Sequence, residues 1–183
     1  MKESVSSGID SFFMKVLMVC LGNICRSPLA HGILEHKAPS NWTIDSAGTS
    51  GWHEGERPDT RSIITAKGRG IAIDQQTSRP FVVDDFKRFD IIFAMDSSNY
   101  SNILRLAPDE ESALKVRLIM NEVYPKENRQ VPDPYTGGQN GFEEVYDMLE
   151  LALDEFLNSN LNGRFIPNTK YIRRRQFFIC SPR

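Results

Sequence analysis

The sequence predicts an α/β fold: a doubly wound, four-stranded parallel sheet with helices on both faces. Three observations carry this. Short apolar runs recur along the chain, helical periodicities fall between them, and Gly- or Pro-containing loops separate the two. Val16, Leu17, Met18 and Val19 form the first run, with no polar alternation, as a strand buried on both faces requires. Ser27 and Pro28 follow as a helix start, Ser at the N-cap and Pro at the first helical position, with Leu29, Ala30, Ile33 and Leu34 behind them. Trp42, Thr43 and Ile44 begin a second strand that runs toward Gly48. Pro58 and Asp59 introduce a helix through Ile63, Ile64 and Ala66, stopped by Gly68 and Gly70.

The third strand is expected from Asp90 to Met95, and Asp96 then caps a helix through Tyr100, Ile103 and Leu104. Val116, Leu118 and Ile119 mark the fourth strand. Phe142, Val145, Tyr146, Leu149, Leu153 and Phe156 recur at helical spacing and predict a long amphipathic helix. In such alternating folds, ligands bind at the carboxyl ends of the strands where strand order reverses. The loop after the first strand is therefore the first place to look for chemistry.

The length of 183 residues suits one domain, and 40% hydrophobic with 25% charged residues excludes a disordered or fibrous chain. No run approaches the roughly 18 apolar residues of a membrane-spanning helix, so no membrane span is expected. Residues 1–13 lack the apolar stretch of a signal peptide and are expected to be an N-terminal extension. Residues 14–157 form the expected domain. Residues 158–183 hold six basic residues and no acid; the other 16 of the 22 basic residues face all 24 acids in residues 1–157, a charge of −8. The tail reads as a solvated basic appendage, since one Arg triplet falls short of a nucleic-acid stripe. Three cysteines cannot build a disulfide framework, and a reducing, cytoplasmic setting is expected. His31, His36 and His53 show no ligand spacing, so neither a metal nor a cofactor is implied.

Cys20, Leu21, Gly22, Asn23, Ile24, Cys25, Arg26 and Ser27 make up the loop after the first strand. A strand-to-helix turn aims successive N–H groups inward, and the helix dipole adds positive potential, so an anion cradle results. Gly22 and Asn23 are the residue types that tolerate left-handed backbone. Arg26 offers a planar fork that matches two phosphate oxygens. A helix N-terminus and a cationic neighbour favour the thiolate of Cys20. The expectation is a thiolate nucleophile facing a bound phosphate.

The run from Cys20 to Pro28 closely resembles the signature of the low-molecular-weight protein tyrosine phosphatases. The resemblance covers about residues 14–157 and extends to the segment from Asp45 to Trp52, to Phe93, Ala94, Met95 and Asp96, and to Asp133, Pro134 and Tyr135. It implies the phosphotyrosine protein phosphatase I-like fold, with tyrosine-phosphorylated proteins as substrates and phosphate as product and inhibitor. It also implies that Cys20 attacks phosphorus, Arg26 holds the phosphoryl oxygens and Asp133 is the general acid. Asn23 and Ser46 resemble the pair that shapes the loop, and Ser27 the hydroxyl that bonds the thiolate. Leu21, Trp52 and Tyr135 resemble the walls of a slot too deep for phosphoserine, and Asp96 matches a position that orients Arg26. The resemblance further implies a reversible disulfide between Cys20 and Cys25; a small core residue is the other reading of Cys25.

The chain departs from the family at Thr136, where Tyr is common, and at residues 74–78, where eukaryotic members carry His. Residues 158–183 resemble no part of it. Three rivals stay open. An arsenate reductase needs a further cysteine pair, and only Cys180 remains. A protein-arginine phosphatase carries Thr where Ile24 stands, and Ile24 crowds a tetrahedral guanidinium adduct. A phosphotyrosine-binding module without turnover would have no need of Cys20, Arg26 and Asp133 together.

Overall fold

The computed structural model describes residues 13–161. The remainder of the N-terminal extension and the tail beyond Leu161, Cys180 included, lie outside the described residues. The chain runs β1 (Lys15–Cys20), α1 (Arg26–Lys37), β2 (Thr43–Gly48), α2 (Thr60–Gly68), α3 (Asp85–Arg88), β3 (Ile91–Ala94), α4 (Ser97–Leu104), α5 (Glu110–Leu114), β4 (Val116–Leu118) and α6 (Gln139–Leu161). The four strands are parallel in the order β2-β1-β3-β4. Strand order reverses between β1 and β3, so the loop after β1 opens at the crevice that parallel sheets use for ligands.

The period of two along β1 divides its side chains between two cores. Val16, Met18 and Cys20 face the layer of α1, α2 and α6, where Ile33, Leu34, Ala66, Tyr146, Leu149 and Phe156 are buried. Leu17 and Val19 face the other layer, with Phe81, Phe86, Phe89 and Ile103. Phe156 meets Trp42 and Phe93 edge-on, at centroid distances of 5.9 and 5.1 Å. That packing fixes α6 across the first face of the sheet, with its N-terminal end near the carboxyl ends of the strands.

Three local differences from the sequence reading have physical causes. Ile119 leaves β4 and opens a 3-10 turn through Glu122. α6 continues past Phe156 to Leu161: Leu157 is still buried in the core, and Asn158, Ser159 and Asn160 follow it in the helix without adding to the apolar face. The short α3 and α5 were not foreseen; each is about one turn, too brief to show a period. No helix among the described residues is long and apolar enough to cross a membrane.

Asp59 caps α2, its Oδ1 accepting from Arg61 N at 2.8 Å. Hydrogen bonds from the Arg61 side chain hold the Asp59 carboxyl below the usual carboxylate range. A depressed carboxyl contributes stability above its unfolded pKa of about 3.9, and that contribution fades as pH falls through the folded value. Asp59→Ala is expected to cost about 0.5–2 kcal/mol near neutrality. Urea unfolding should show the deficit shrinking below the unfolded pKa; a deficit constant with pH would contradict the assignment.

Gly48 closes β2 against the loop after β1. A Cβ there would stand 2.8 Å from Leu21 O, 3.0 Å from Ser50 O and 3.1 Å from Asn23 N, all backbone atoms that cannot swing aside. Gly48→Ala is expected to destabilise by about 1–3 kcal/mol. Thermal unfolding checks it, and an unchanged Tm would show that the loop moves freely.

Candidate active site

The loop of residues 21–25 turns from the end of β1 into α1 and brings Cys20 to the floor of a slot. Cys20, Leu21, Gly22, Ile24, Cys25, Arg26, Trp52, His53, Asp133 and Tyr135 line this slot, which holds about 130 Å³. Cys20 Sγ lies 3.1 Å from Ser27 Oγ and accepts from Asn23 N at 3.3 Å. Arg26 rises from the first turn of α1 and is 3% exposed. Its Nη1 donates to Asp96 Oδ2 at 2.6 Å and to Val131 O at 3.2 Å, and its Nη2 donates to Asp133 Oδ2 at 2.8 Å. Its buried Nε meets no acceptor among the described residues. That leaves an unsatisfied guanidinium donor on a side chain that lines the same slot as Cys20, as an anion site needs.

Two features of the loop depart from the sequence reading. Asn23 takes the left-handed conformation, with φ of 55°, while Gly22 does not. Gly22 is needed for space instead: a Cβ there would come 2.9 Å from the His53 ring. Ser27 does not cap α1, which starts at Arg26 without any side-chain cap. The Ser27 hydroxyl is taken by Cys20 and Asn23, and the helix N-terminus is left to backbone donors.

Asn23 is the hub of the loop. Its Nδ2 donates to Ser27 Oγ and to Ser46 Oγ, both at 2.9 Å, and its Oδ1 accepts from Arg79 N at 3.0 Å. The Arg79 side chain bridges Asp45 on β2 and the fully buried Asp85 on α3. Ser78 Oγ donates to Gly22 O at 3.0 Å. Residues 78–79 therefore brace the loop from outside, and nothing in their spacing to Cys20 would have announced it. His31 Nδ1 lies 3.4 Å from Ser46 Oγ, and burial holds this ring below the ordinary imidazole pKa. It is a packed member of the loop's support.

Asp96 serves twice, capping α4 by accepting from Asn99 N at 2.7 Å and pairing with Arg26. Asp133 and Tyr135 come from the connection between β4 and α6. Asp133 Oδ1 accepts from Tyr135 N at 3.1 Å, a turn that leaves its other oxygen toward Arg26. Trp52, 77% exposed, and Tyr135, 52% exposed, flank the slot mouth as flat apolar surfaces. His53 also lines the slot, its Nδ1 paired with Glu56 Oε2 at 2.8 Å. The sequence reading missed it, because a lone His beside Trp carries no signal of its own.

Cys25 packs with Ile24 and Phe142, and burial, reinforced by Asp59 and Cys20, pushes its thiol up to about 12. It stays protonated at neutral pH. Cys20 and Cys25 are both free thiols. Among the described residues no group of three or more His, Cys, Asp or Glu could hold a metal ion. All residues expected at the site except Ser27, Asn23, Ser46 and Asp96 line the slot itself; the first three form a hydrogen-bonded layer beneath it, and Asp96 pairs with Arg26 from behind.

A family model described as low molecular weight phosphotyrosine protein phosphatase matches residues 15–164. The low molecular weight phosphotyrosine protein phosphatase of Schizosaccharomyces pombe is 43% identical over 152 residues, which span 80% of this chain and 96% of the yeast protein. The crystal structure of a protein tyrosine phosphatase from Entamoeba histolytica, with Hepes in its active site, matches with a TM-score of 0.76 at 41% identity, over 82% of this chain and 99% of that one. The crystal structure of DARP, the Drosophila arginine phosphatase, matches with a TM-score of 0.73 at 34% identity, over 79% of this chain and 96% of that one. A slot lined by Cys20 and Arg26 at the switch point of a 2-1-3-4 sheet and a match along most of the chain have one common explanation: the chain belongs to the low molecular weight phosphotyrosine protein phosphatase family.

Proposed function

We propose that this phosphatase hydrolyses phosphotyrosine in proteins through a phosphocysteine intermediate, with Asp133 as general acid. The observation that carries the reading is the convergence of Cys20 Sγ, the Arg26 guanidinium and the Asp133 carboxyl on one slot walled by aromatic rings. The Cys20 thiolate attacks phosphorus as the phosphorus–oxygen bond to the phenol breaks. The three equatorial oxygens take hydrogen bonds from loop N–H groups and from Arg26, whose Nε meets no acceptor among the described residues. Asp133 gives its proton to the departing phenolate. The resulting carboxylate then takes a proton from water as that water attacks the phosphocysteine, releasing inorganic phosphate and the thiolate. Phosphate is thus both product and inhibitor, because it fits the same cradle.

Trp52 and Tyr135 at the mouth fit a phenyl ring, and the burial of Cys20 at the floor disfavours the shorter phosphoserine. A thiolate nucleophile must be kept reduced, so the cytoplasm is the proposed place of action. No nucleic-acid partner is proposed. Phosphoarginine hydrolysis is the second reading, favoured by the likeness to the Drosophila arginine phosphatase. Against it stands Ile24, whose branched side chain lines the slot where the bulkier adduct would need room.

The test is hydrolysis of phosphotyrosine, phosphoserine and phosphoarginine in EDTA by the wild type and two variants. Phosphotyrosine turnover should survive EDTA and vanish in Cys20→Ser. Asp133→Asn should slow it by roughly 10²–10⁴-fold. Faster turnover of phosphoarginine than of phosphotyrosine would replace the first reading with the second. Phosphotyrosine turnover that requires a metal would contradict both.

A further inference from the structure

The loop that carries Asp133 and Tyr135 has no regular secondary structure, yet general acid catalysis needs its carboxyl placed to within a fraction of an ångström. Asp133 is separated by five residues from the start of α6, and its one internal tie is the turn to Tyr135. Arg26 holds the Asp133 carboxyl and Val131 N donates to Met95 O, so the amino side of the loop is tied down, and its carboxyl-side end needs a tie of its own.

The structure assigns that part to Arg61 on α2, as the positioning residue that fastens the Asp133–Tyr135 loop to the phosphate loop. The inference rests on the proposed role of Asp133 as general acid. Arg61 uses its donors on two sides. Toward the phosphate loop, Nε and Nη2 donate to the two oxygens of Asp59, at 2.9 and 2.7 Å. Asp59 in turn donates its N–H to Ile24 O at 2.8 Å, so this pair is bonded to the phosphate loop itself. Toward the acid loop, Nη1 donates to Gly137 O at 2.8 Å, and Gly137 N donates back to Pro134 O at 2.9 Å. Arg61 thereby holds the carboxyl-side end of the turn that starts at Asp133.

The flat face of the guanidinium completes the clamp. Its carbon lies 4.5 Å from the centroid of Phe142 and 5.7 Å from that of Tyr135. Phe142 packs on Ile24 and Cys25, and Tyr135 is a wall of the slot. One side chain therefore touches the acid loop directly, at Gly137 and Tyr135, and reaches the phosphate loop through Asp59 and Phe142. Lysine cannot do this, because a single ammonium cannot span Asp59, Gly137 and two rings at once. Arg61 makes no contact with Cys20 or Arg26 and would act only through the loop it holds.

The fold does not depend on this side chain. Asp59 caps α2 through the backbone N–H of Arg61, which Ala and Lys both keep. Gln139 Nε2 donates to Thr65 Oγ1 at 2.7 Å, and Thr65 Oγ1 donates to Glu143 at 2.8 Å, so α2 and α6 stay joined without the guanidinium. Arg61→Ala and Arg61→Lys are expected to fold, with circular dichroism as the check.

The readout is the dependence of rate on the leaving group. Phenyl phosphate releases a basic phenolate that needs the acid, whereas para-nitrophenyl phosphate releases one that needs little help. Arg61→Ala should lower kcat for phenyl phosphate by about 10–100-fold and for para-nitrophenyl phosphate by much less. Arg61→Lys should fall between it and the wild type with the same asymmetry. Inhibition by inorganic phosphate, which reports the phosphate loop alone, should be unchanged in both. In an Asp133→Asn background the Arg61→Ala loss on phenyl phosphate should disappear, since the two act as one unit. Equal losses on both substrates with weakened phosphate inhibition would overturn the inference and make Arg61 a support of the phosphate loop. No loss in Arg61→Ala would overturn it as well. If Asp133→Asn alone shows no leaving-group dependence, the acid assignment fails on its own evidence, and the part given to Arg61 falls with it.

Discussion

A buried guanidinium organises this molecule. Arg26 is almost wholly enclosed, and a lone buried cation would cost far more than a small domain can offset. Its compensation comes from two separate stretches of chain: Asp96 at the start of α4, and the carbonyl of Val131 together with Asp133 in the long connection to α6. Each stretch leaves the carboxyl end of the sheet, so neutralising one charge draws together the loops that the parallel topology merely places near each other. The same charge that makes the crevice attractive to a phosphate is thus also what assembles the crevice.

The phosphate loop shows the complementary constraint. A chain that points several N–H groups at one spot must be held against their mutual repulsion, and Asn23 does this by adopting the left-handed region and bonding to Ser27, Ser46 and the backbone of Arg79. The absence of any side-chain cap on α1 fits the same logic: a capping oxygen there would occupy a donor that the anion requires.

Much of this was legible in the residues. The strands and long helices declared themselves by period, and Cys20 through Ser27 declared a cradle by residue type between a strand and a helix start. Asp96 and Asp133 were reachable only through the family resemblance, because a carboxylate beside a helix or a proline has an ordinary explanation. At Ser27 the cap preference and the thiolate partner call for the same residue type, so the residue alone points to a cap that the fold does not use. Gly22 was assigned a conformational role when its real constraint is the nearby His53, a neighbour that sequence cannot supply. Arg79, Ser78 and His31 were invisible for the same reason: their importance lies in contacts across the sheet, which no local pattern encodes.

The chain has two tryptophans, and the fold has put them in opposite circumstances. Trp52 stands in solvent at the rim of the slot, while Trp42 is enclosed and meets Phe156 edge-on at the far end of α6. The fluorescence of the protein is therefore the sum of a red-shifted emitter that feels whatever enters the crevice and a blue-shifted one that feels only the integrity of the packing. Selective excitation or quenching by a dissolved agent separates them. Occupancy and unfolding become two independent optical signals from an unlabelled protein.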